Sequence, residues 1–256
     1  MEDKFQKLVE IMEKLRSEEG CPWDRVQTHD TLKRYLLEET YELIEAIEKK
    51  DYRGIREELG DLLLQVVFHS KIAKDEGHFD INDVIDSISR KMINRHPHVF
   101  GNASFNTPEE VLTQWDERKK EEGKLKSSIL EGIPQALSAL LKAYKIQSRV
   151  AKVGFDWENV EGILSKIEEE IEELKVALKL NSKEKIEEEI GDILFSIVNL
   201  ARFLKIDPEA ALRKTNRKFE ERFKKLEELA IKQGKSLKDM SLDEMDNLWE
   251  KIKESE

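Results

Sequence analysis

Residues 36–69 read LLEETYELIEAIEKKDYRGIREELGDLLLQVVFH, and residues 167–200 read IEEEIEELKVALKLNSKEKIEEEIGDILFSIVNL. In the first stretch Glu38, Glu39 and Glu42 are followed by Glu58 and Asp61; in the second, Glu169, Glu170 and Glu173 are followed by Glu189 and Asp192. Every counterpart lies 131 residues on, from 169 − 38 through to 192 − 61, and no gap is needed. Other positions keep the same register: Leu43 with Leu174, Ala46 with Ala177, Ile55 with Ile186, Gly60 with Gly191, Leu63 with Leu194 and Val67 with Val198. A period of that length is a domain, far longer than a solenoid repeat. One acidic pair on a helix is ordinarily a solvated face, but five carboxylates written twice at fixed spacing point to a duplicated metal site.

A chain of 256 residues suits two domains of about 100–150 residues better than one core. Charged and hydrophobic residues each make up 39%, as in helical proteins with heavily solvated faces. The net charge of −11 excludes a general affinity for nucleic acid or an anionic membrane, so any phosphate ligand has to be held locally. A single cysteine, Cys21, cannot form an intrachain disulfide. Met1 to Lys14 reads as a charged amphipathic stretch rather than an export signal, and Ile190 to Leu204 is interrupted by Asp192, Asn199 and Arg202. The expected compartment is the cytoplasm.

Apolar residues recur at three- and four-residue spacing nearly throughout. Phe5, Leu8, Val9, Met12 and Leu15 form one stripe, ended by Gly20 and Pro22. Leu36, Leu43 and Ile47 lie on a second helix, followed by a turn from Lys49 to Gly54; Ile55, Leu59, Leu62, Leu63 and Val66 make a third, and Ile81 to Met92 a fourth. The second copy gives Ile163 to Leu180, a turn around Asn181 and Ser182, then Ile186 to Leu204. Asp207-Pro208 opens a further helix through Phe219 and Phe223. No stretch reads as a strand. The expected class is all-α with two tandem homologous domains, residues 1–122 and 135–256, joined by a linker at 123–134 where Gly123, Ser127, Ser128, Gly132 and Pro134 gather.

Residues three or four apart share a helix face, so Glu39 with Glu42 and Glu58 with Asp61 are paired, and the turn can fold both pairs together. Four convergent carboxylates repel one another until they take up protons, pair with cations or bind metal. All-oxygen ligands suit Mg²⁺, or Mn²⁺, better than zinc. Gly60 and Gly191, each one residue before an aspartate, weaken a helix and point to close approach of another backbone or a ligand. His96 and His98 flank Pro97 without further ligands at zinc spacing and read as loop residues. Trp115 and Trp249 suit either domain packing or stacking on a base.

The pattern E-E-x-x-E, a spacer, then E-x-x-D, in two copies with Cys-Pro-Trp-Asp at 21–24, resembles the MazG family of all-α nucleoside triphosphate pyrophosphohydrolases. The resemblance covers nearly the whole chain. It implies four-helix-bundle-type domains, a homodimer, and Mg²⁺-dependent hydrolysis of a nucleoside triphosphate to the monophosphate and pyrophosphate, by metal-activated water attack at the α-phosphorus. By the same resemblance Glu170, Glu173, Glu189 and Asp192 are metal ligands and catalytic, with Glu39, Glu42, Glu58 and Asp61 as their first-copy counterparts. Lys218 and Arg222, in the segment Lys-Phe-Glu-Glu-Arg, would reach the phosphates, with Lys185 and Trp249 completing the substrate-binding set. Glu169 is the candidate base or water-orienting group.

The copies diverge where phosphates would sit. Anchoring Asn94-Arg95 on Asn216-Arg217 sets His96 opposite Lys218 and Phe100 opposite Arg222, so the second copy is the expected main catalyst. Two rival readings remain open at this point. One is a non-catalytic nucleotide sensor or helical partner-binding module that keeps the acidic cage; the other is a pyrophosphohydrolase specialised for dUTP, damaged or alarmone nucleotides.

Overall fold

The computed structural model describes residues 2–105, 107, 110, 111, 114 and 128–255. Trp115 and residues 123–127 of the expected linker lie outside the described residues. The chain divides into two compact units, Met1–Lys124 and Leu125–Glu256. Among the described residues there is no strand, and no helix is long and apolar enough to cross a membrane. The fold is all-α, and the two units are tandem copies.

The first unit contains α1 (Glu2–Leu15), α2 (Pro22–Val26), α3 (His29–Lys49), α4 (Tyr52–Asp75), α5 (Ile81–Arg95) and the single turn α6 (Pro97–Phe100). α1, α3 and α5 pack on α4. Met12, Leu32, Val67, Phe68, Ile72 and Ile81 form the buried core, with Phe5, Leu8 and Tyr35 against it. Thr28 caps α3 through a reciprocal box with Thr31. Lys50, in the left-handed region at φ 56°, ends α3, and the Asp51 carboxylate then accepts from the amides of Arg53 and Gly54 to start α4. The turn is therefore tighter than the sequence reading, which extends it to Gly54. Gly54 sits in the first turn of α4, where a Cβ would come within 3.2 Å of the Ala46 Cβ.

The second unit contains α7 (Ala139–Ala151), α8 (Val160–Leu180), α9 (Lys183–Phe203), α10 (Pro208–Lys232), a short 3-10 turn (Leu237–Asp239) and α11 (Leu242–Glu254). α9 packs against α7, α8 and α10, and α11 folds back on α10. The α8–α9 turn repeats the first one: Asn181 is left-handed at φ 52°, and Ser182 caps α9. Asn tolerates that conformation better than Lys does. Both terminal nitrogens of the Arg202 guanidinium donate to the Asp156 carboxylate, which fixes the loop before α8 onto α9. The sequence pattern does not single out α7. One reason is Gln147, which is buried where an apolar residue is expected and donates from Nε2 to the Phe195 carbonyl at 2.8 Å.

Candidate active site

Each two-residue turn folds its long helices side by side and brings carboxylates from both arms together. Glu39, Glu58 and Asp61 each place a carboxylate oxygen so that the three lie within 4.8 Å of one another; Glu170, Glu173 and Glu189 do the same in the second unit. Glu42 stands at the edge of the first group, where its charge acts on Glu58, and Asp192 at the edge of the second, where its charge acts on Glu189. All eight expected metal-ligand residues thus gather at the two hairpins, six of them in the tight triads.

Electrostatics identifies the strain in these groups. Desolvation first, then the charge of Asp61 and Glu42, holds the Glu39 carboxyl above its usual range. Glu58 is raised by desolvation and then by Glu42 and Asp61, and Glu189 by desolvation and then by Glu173 and Glu170. Glu58 Oε2 is buried without a hydrogen-bond partner. An orphaned, inward-facing oxygen among like charges is a donor set for a cation, and oxygen donors alone fit a hard divalent ion. Each cluster can hold a metal ion.

Of the two alternatives expected at Gly60 and Gly191, the close backbone is not there. A Cβ at either position would meet nothing within 4 Å, so no protein backbone crowds them. What each glycine leaves is open space on the flank of its cluster.

Sequence reasoning missed Lys166. Its ammonium lies 2.7 Å from both Glu169 Oε1 and Glu170 Oε1 and is pushed well above the ordinary lysine value by those contacts. Glu170 is buried and depends on this partner. The signal was a break in the repeat, since the position 131 residues earlier is Tyr35. Glu169, the candidate base, is exposed and in this structure accepts from Lys166.

α10, packed beside α9, carries the basic segment. Lys218 is exposed, while the Arg222 guanidinium lies 6.0 Å from the centre of the Trp249 ring. Trp249 in turn meets Phe219 at 5.0 Å and packs against the buried Leu226, Leu248 and Ile252. Trp249 is therefore a packing residue as well as an aromatic surface. Lys185 is exposed on the first turn of α9. Among the described residues the first unit lacks this arm: α5 stops at Arg95, because Pro97 cannot continue it, whereas α10 runs on to Lys232. His96 is the cap of α5, and Phe100 is exposed at the end of α6.

Comparison with known proteins finds the MazG nucleotide pyrophosphohydrolase domain twice, at residues 27–100 and 158–226. The chain belongs to the MazG family. A MazG protein of Thermotoga maritima, named a nucleoside triphosphate pyrophosphohydrolase/pyrophosphatase, is 54% identical over 97% of this chain and 95% of its own length. A nucleoside triphosphate pyrophosphohydrolase of Escherichia coli K12 is 44% identical over 99% of this chain and 98% of its own. A solved MazG-related protein from Thermotoga maritima is 32% identical, covering 45% of this chain and 98% of its own, with a TM-score of 0.39. Both MazG matches include their unit's carboxylate hairpin, and the second extends through Lys218 and Arg222.

Proposed function

We propose that this protein hydrolyses nucleoside triphosphates to the monophosphate and pyrophosphate, with the second unit as the main catalyst. The observation that carries the reading is the Glu170, Glu173 and Glu189 triad on a hairpin whose neighbouring helix bears Lys218 and Arg222. The names of the Thermotoga and Escherichia relatives support it. In our reading Glu170, Glu173, Glu189 and Asp192 hold Mg²⁺ or Mn²⁺, and Glu39, Glu42, Glu58 and Asp61 hold the same ion in the first unit. Such an ion would supply positive charge for the phosphate oxygens and Lewis acidity for activating water.

The remaining roles fall to the chain's own side chains. Carboxylates alone repel a triphosphate, so Lys218, Arg222 and Lys185 offset the charge the ion leaves uncompensated. As pyrophosphate departs from the α-phosphorus, negative charge builds on the leaving group, and in our reading the arginine and lysines of α10 and α9 stabilise it. Glu169 orients the attacking water and accepts its proton once Lys166 releases it. Trp249 supplies an aromatic face for the base. Exposed apolar residues on α8 and α9, such as Ile171, Ile190, Leu194 and Ile197, support a homodimer, and the charge and span arguments support a cytoplasmic enzyme with no nucleic-acid or membrane partner.

Phosphorus NMR of products formed from several nucleoside triphosphates in oxygen-18 water tests this reading. Label in the monophosphate, with pyrophosphate released, is the expected outcome. Label in orthophosphate or pyrophosphate would place the attack elsewhere, and no turnover across the panel would favour a nucleotide sensor.

A further inference from the structure

His29, the first residue of α3, and His69 of α4 face each other across the first hairpin with their Nδ1 atoms 2.7 Å apart. The rings are parallel within 2° and their centres are 5.0 Å apart. With the nitrogens so close, that separation sets the rings edge to edge in nearly one plane rather than face to face. This is the alignment of an N–H···N hydrogen bond. A metal between the nitrogens would hold them further apart, since each zinc–nitrogen bond alone spans about 2.0–2.1 Å. We propose that His29 and His69 form a proton-sensitive clasp that holds the first unit's hairpin closed at neutral pH and releases it in acid.

The proton's place follows from burial. His69 Nε2 is buried with no hydrogen-bond partner. A neutral imidazole carries one N–H, and a hydrogen on that buried atom would be an unsatisfied donor. The hydrogen therefore sits on His69 Nδ1, which donates to His29 Nδ1. A second proton has no favourable site: on His29 Nδ1 it either displaces the bond or reverses it by driving the His69 hydrogen onto the buried, unpartnered Nε2, and on His69 Nε2 it puts charge on that buried atom. Burial first, and then His29 beside it, hold the His69 imidazole below the usual histidine value. The unfolded chain thus binds more protons below about pH 6.5, so the clasp's contribution is complete above that value and fades as the pH falls toward the folded one.

Several charged groups on the packed elements have partners of their own. Asp30 pairs with Lys33 on α3 and is the acid whose carboxyl a charged His29 would act on. Asp75 pairs with Lys71 on α4 and with Arg16 from the end of α1, Lys74 with Glu13 of α1, and Asp80 with the first amides of α5. From α2, Asp24 contributes its carbonyl to Arg16, and Arg25 donates to the Glu18 carbonyl. Among the described residues no carboxylate pairs with either ring. At the same places the second hairpin has Val160 and Leu200, which cannot titrate.

Hydrogen–deuterium exchange on the full chain tests the clasp, comparing peptides of α3–α4 with those of α8–α9 at about pH 7.5 and about pH 5, corrected for intrinsic rates. The double variant His29→Val/His69→Leu, which installs the second copy's residues, keeps both carboxylate clusters, so their titration cancels in the comparison. Protection of α3–α4 is expected to fall at least about ten-fold more in the native protein than in the variant. Equal responses would overturn the proposal. Should the variant not fold, nitrogen-15 NMR of the native imidazoles decides: His69 still neutral and protonated on Nδ1 at about pH 6 supports the clasp, and ordinary titration of both rings near pH 6.5 overturns it.

Discussion

Lys166 Nζ lies 2.7 Å from Glu170 Oε1, and its counterpart in the first copy is Tyr35, which packs edge-on to Trp23 instead. The second triad is therefore partly neutralised within the protein, whereas among the described residues no lysine or arginine pairs with Glu39, Glu58 or Asp61. Lys166→Ala should leave a buried carboxylate without its partner. It should cost the metal-free protein about 1–2 kcal/mol, toward the low end for a charged hydrogen bond because the ammonium is partly exposed. Denaturant midpoints in chelator would check this, and the loss should shrink when Mg²⁺ is added.

Removing one ligand separates the copies. Glu173→Gln should abolish turnover while leaving the fold intact, because it takes a charge out of a self-repelling triad. Glu42→Gln should leave most of the activity, since α5 ends before it can present the basic arm that α10 carries. Steady-state assays with matched circular dichroism would test the pair; equal losses would make the first unit a working site.

Lys218→Ala and Arg222→Ala should weaken triphosphate binding without removing metal. A charge-assisted contact of roughly 1.5–3 kcal/mol corresponds to a rise in KM of about ten- to hundred-fold. Arg222→Ala should also lower stability modestly, because its guanidinium lies over Trp249. Unchanged KM values in both variants would mark the segment as a solvated face.

Carboxyl groups held above their ordinary range make a pH prediction with a definite sign. Glu39, Glu58 and Glu189 are all raised from a reference of 4.5, so the fold binds protons that the unfolded chain has released. Their contribution is complete below that reference and is lost as the pH rises through the folded values. In chelator, Glu58→Gln and Glu189→Gln should therefore gain on the native protein as the pH goes from about 5 to about 7. Saturating Mg²⁺ should reverse the order, which midpoints measured at both pH values would show.

Gly191 is exposed within α9 and nothing lies within 4 Å of a Cβ built there. Gly191→Ala should accordingly stabilise the metal-free protein by about 0.5–1 kcal/mol. A fall in activity despite that gain, seen by assay beside thermal unfolding, would mean that the open flank is used by substrate.

The hairpins and their carboxylates were legible because the sequence repeats them without a gap, and helix periodicity then fixes which acids converge. Contacts that depend on long side chains were not legible. Lys166 could have pointed to solvent, and only packing shows it reaching Glu169 and Glu170. The His29 and His69 pair was equally hidden, since forty positions of chain separate them and neither has a counterpart in the repeat. α7 is hidden in the sequence because a buried glutamine, Gln147, interrupts its apolar stripe. The loss of the basic arm was read from an alignment of residue types; the structure adds its cause, the helix stop at Pro97.

The left-handed residues Lys50 and Asn181 act as the zero mark of a ruler. Glu42 and Glu58 each stand eight positions from Lys50, and Glu39 and Asp61 each eleven; Glu173 and Glu189, then Glu170 and Asp192, stand at the same counts from Asn181. Each acid thus finds its opposite number by equal travel along two arms from a common fold line. A residue inserted within either arm, between mark and acid, would rotate that arm's carboxylates by about 100° and scatter the set. Symmetry about a single backbone dihedral, rather than any one side chain, is what keeps both cages aligned.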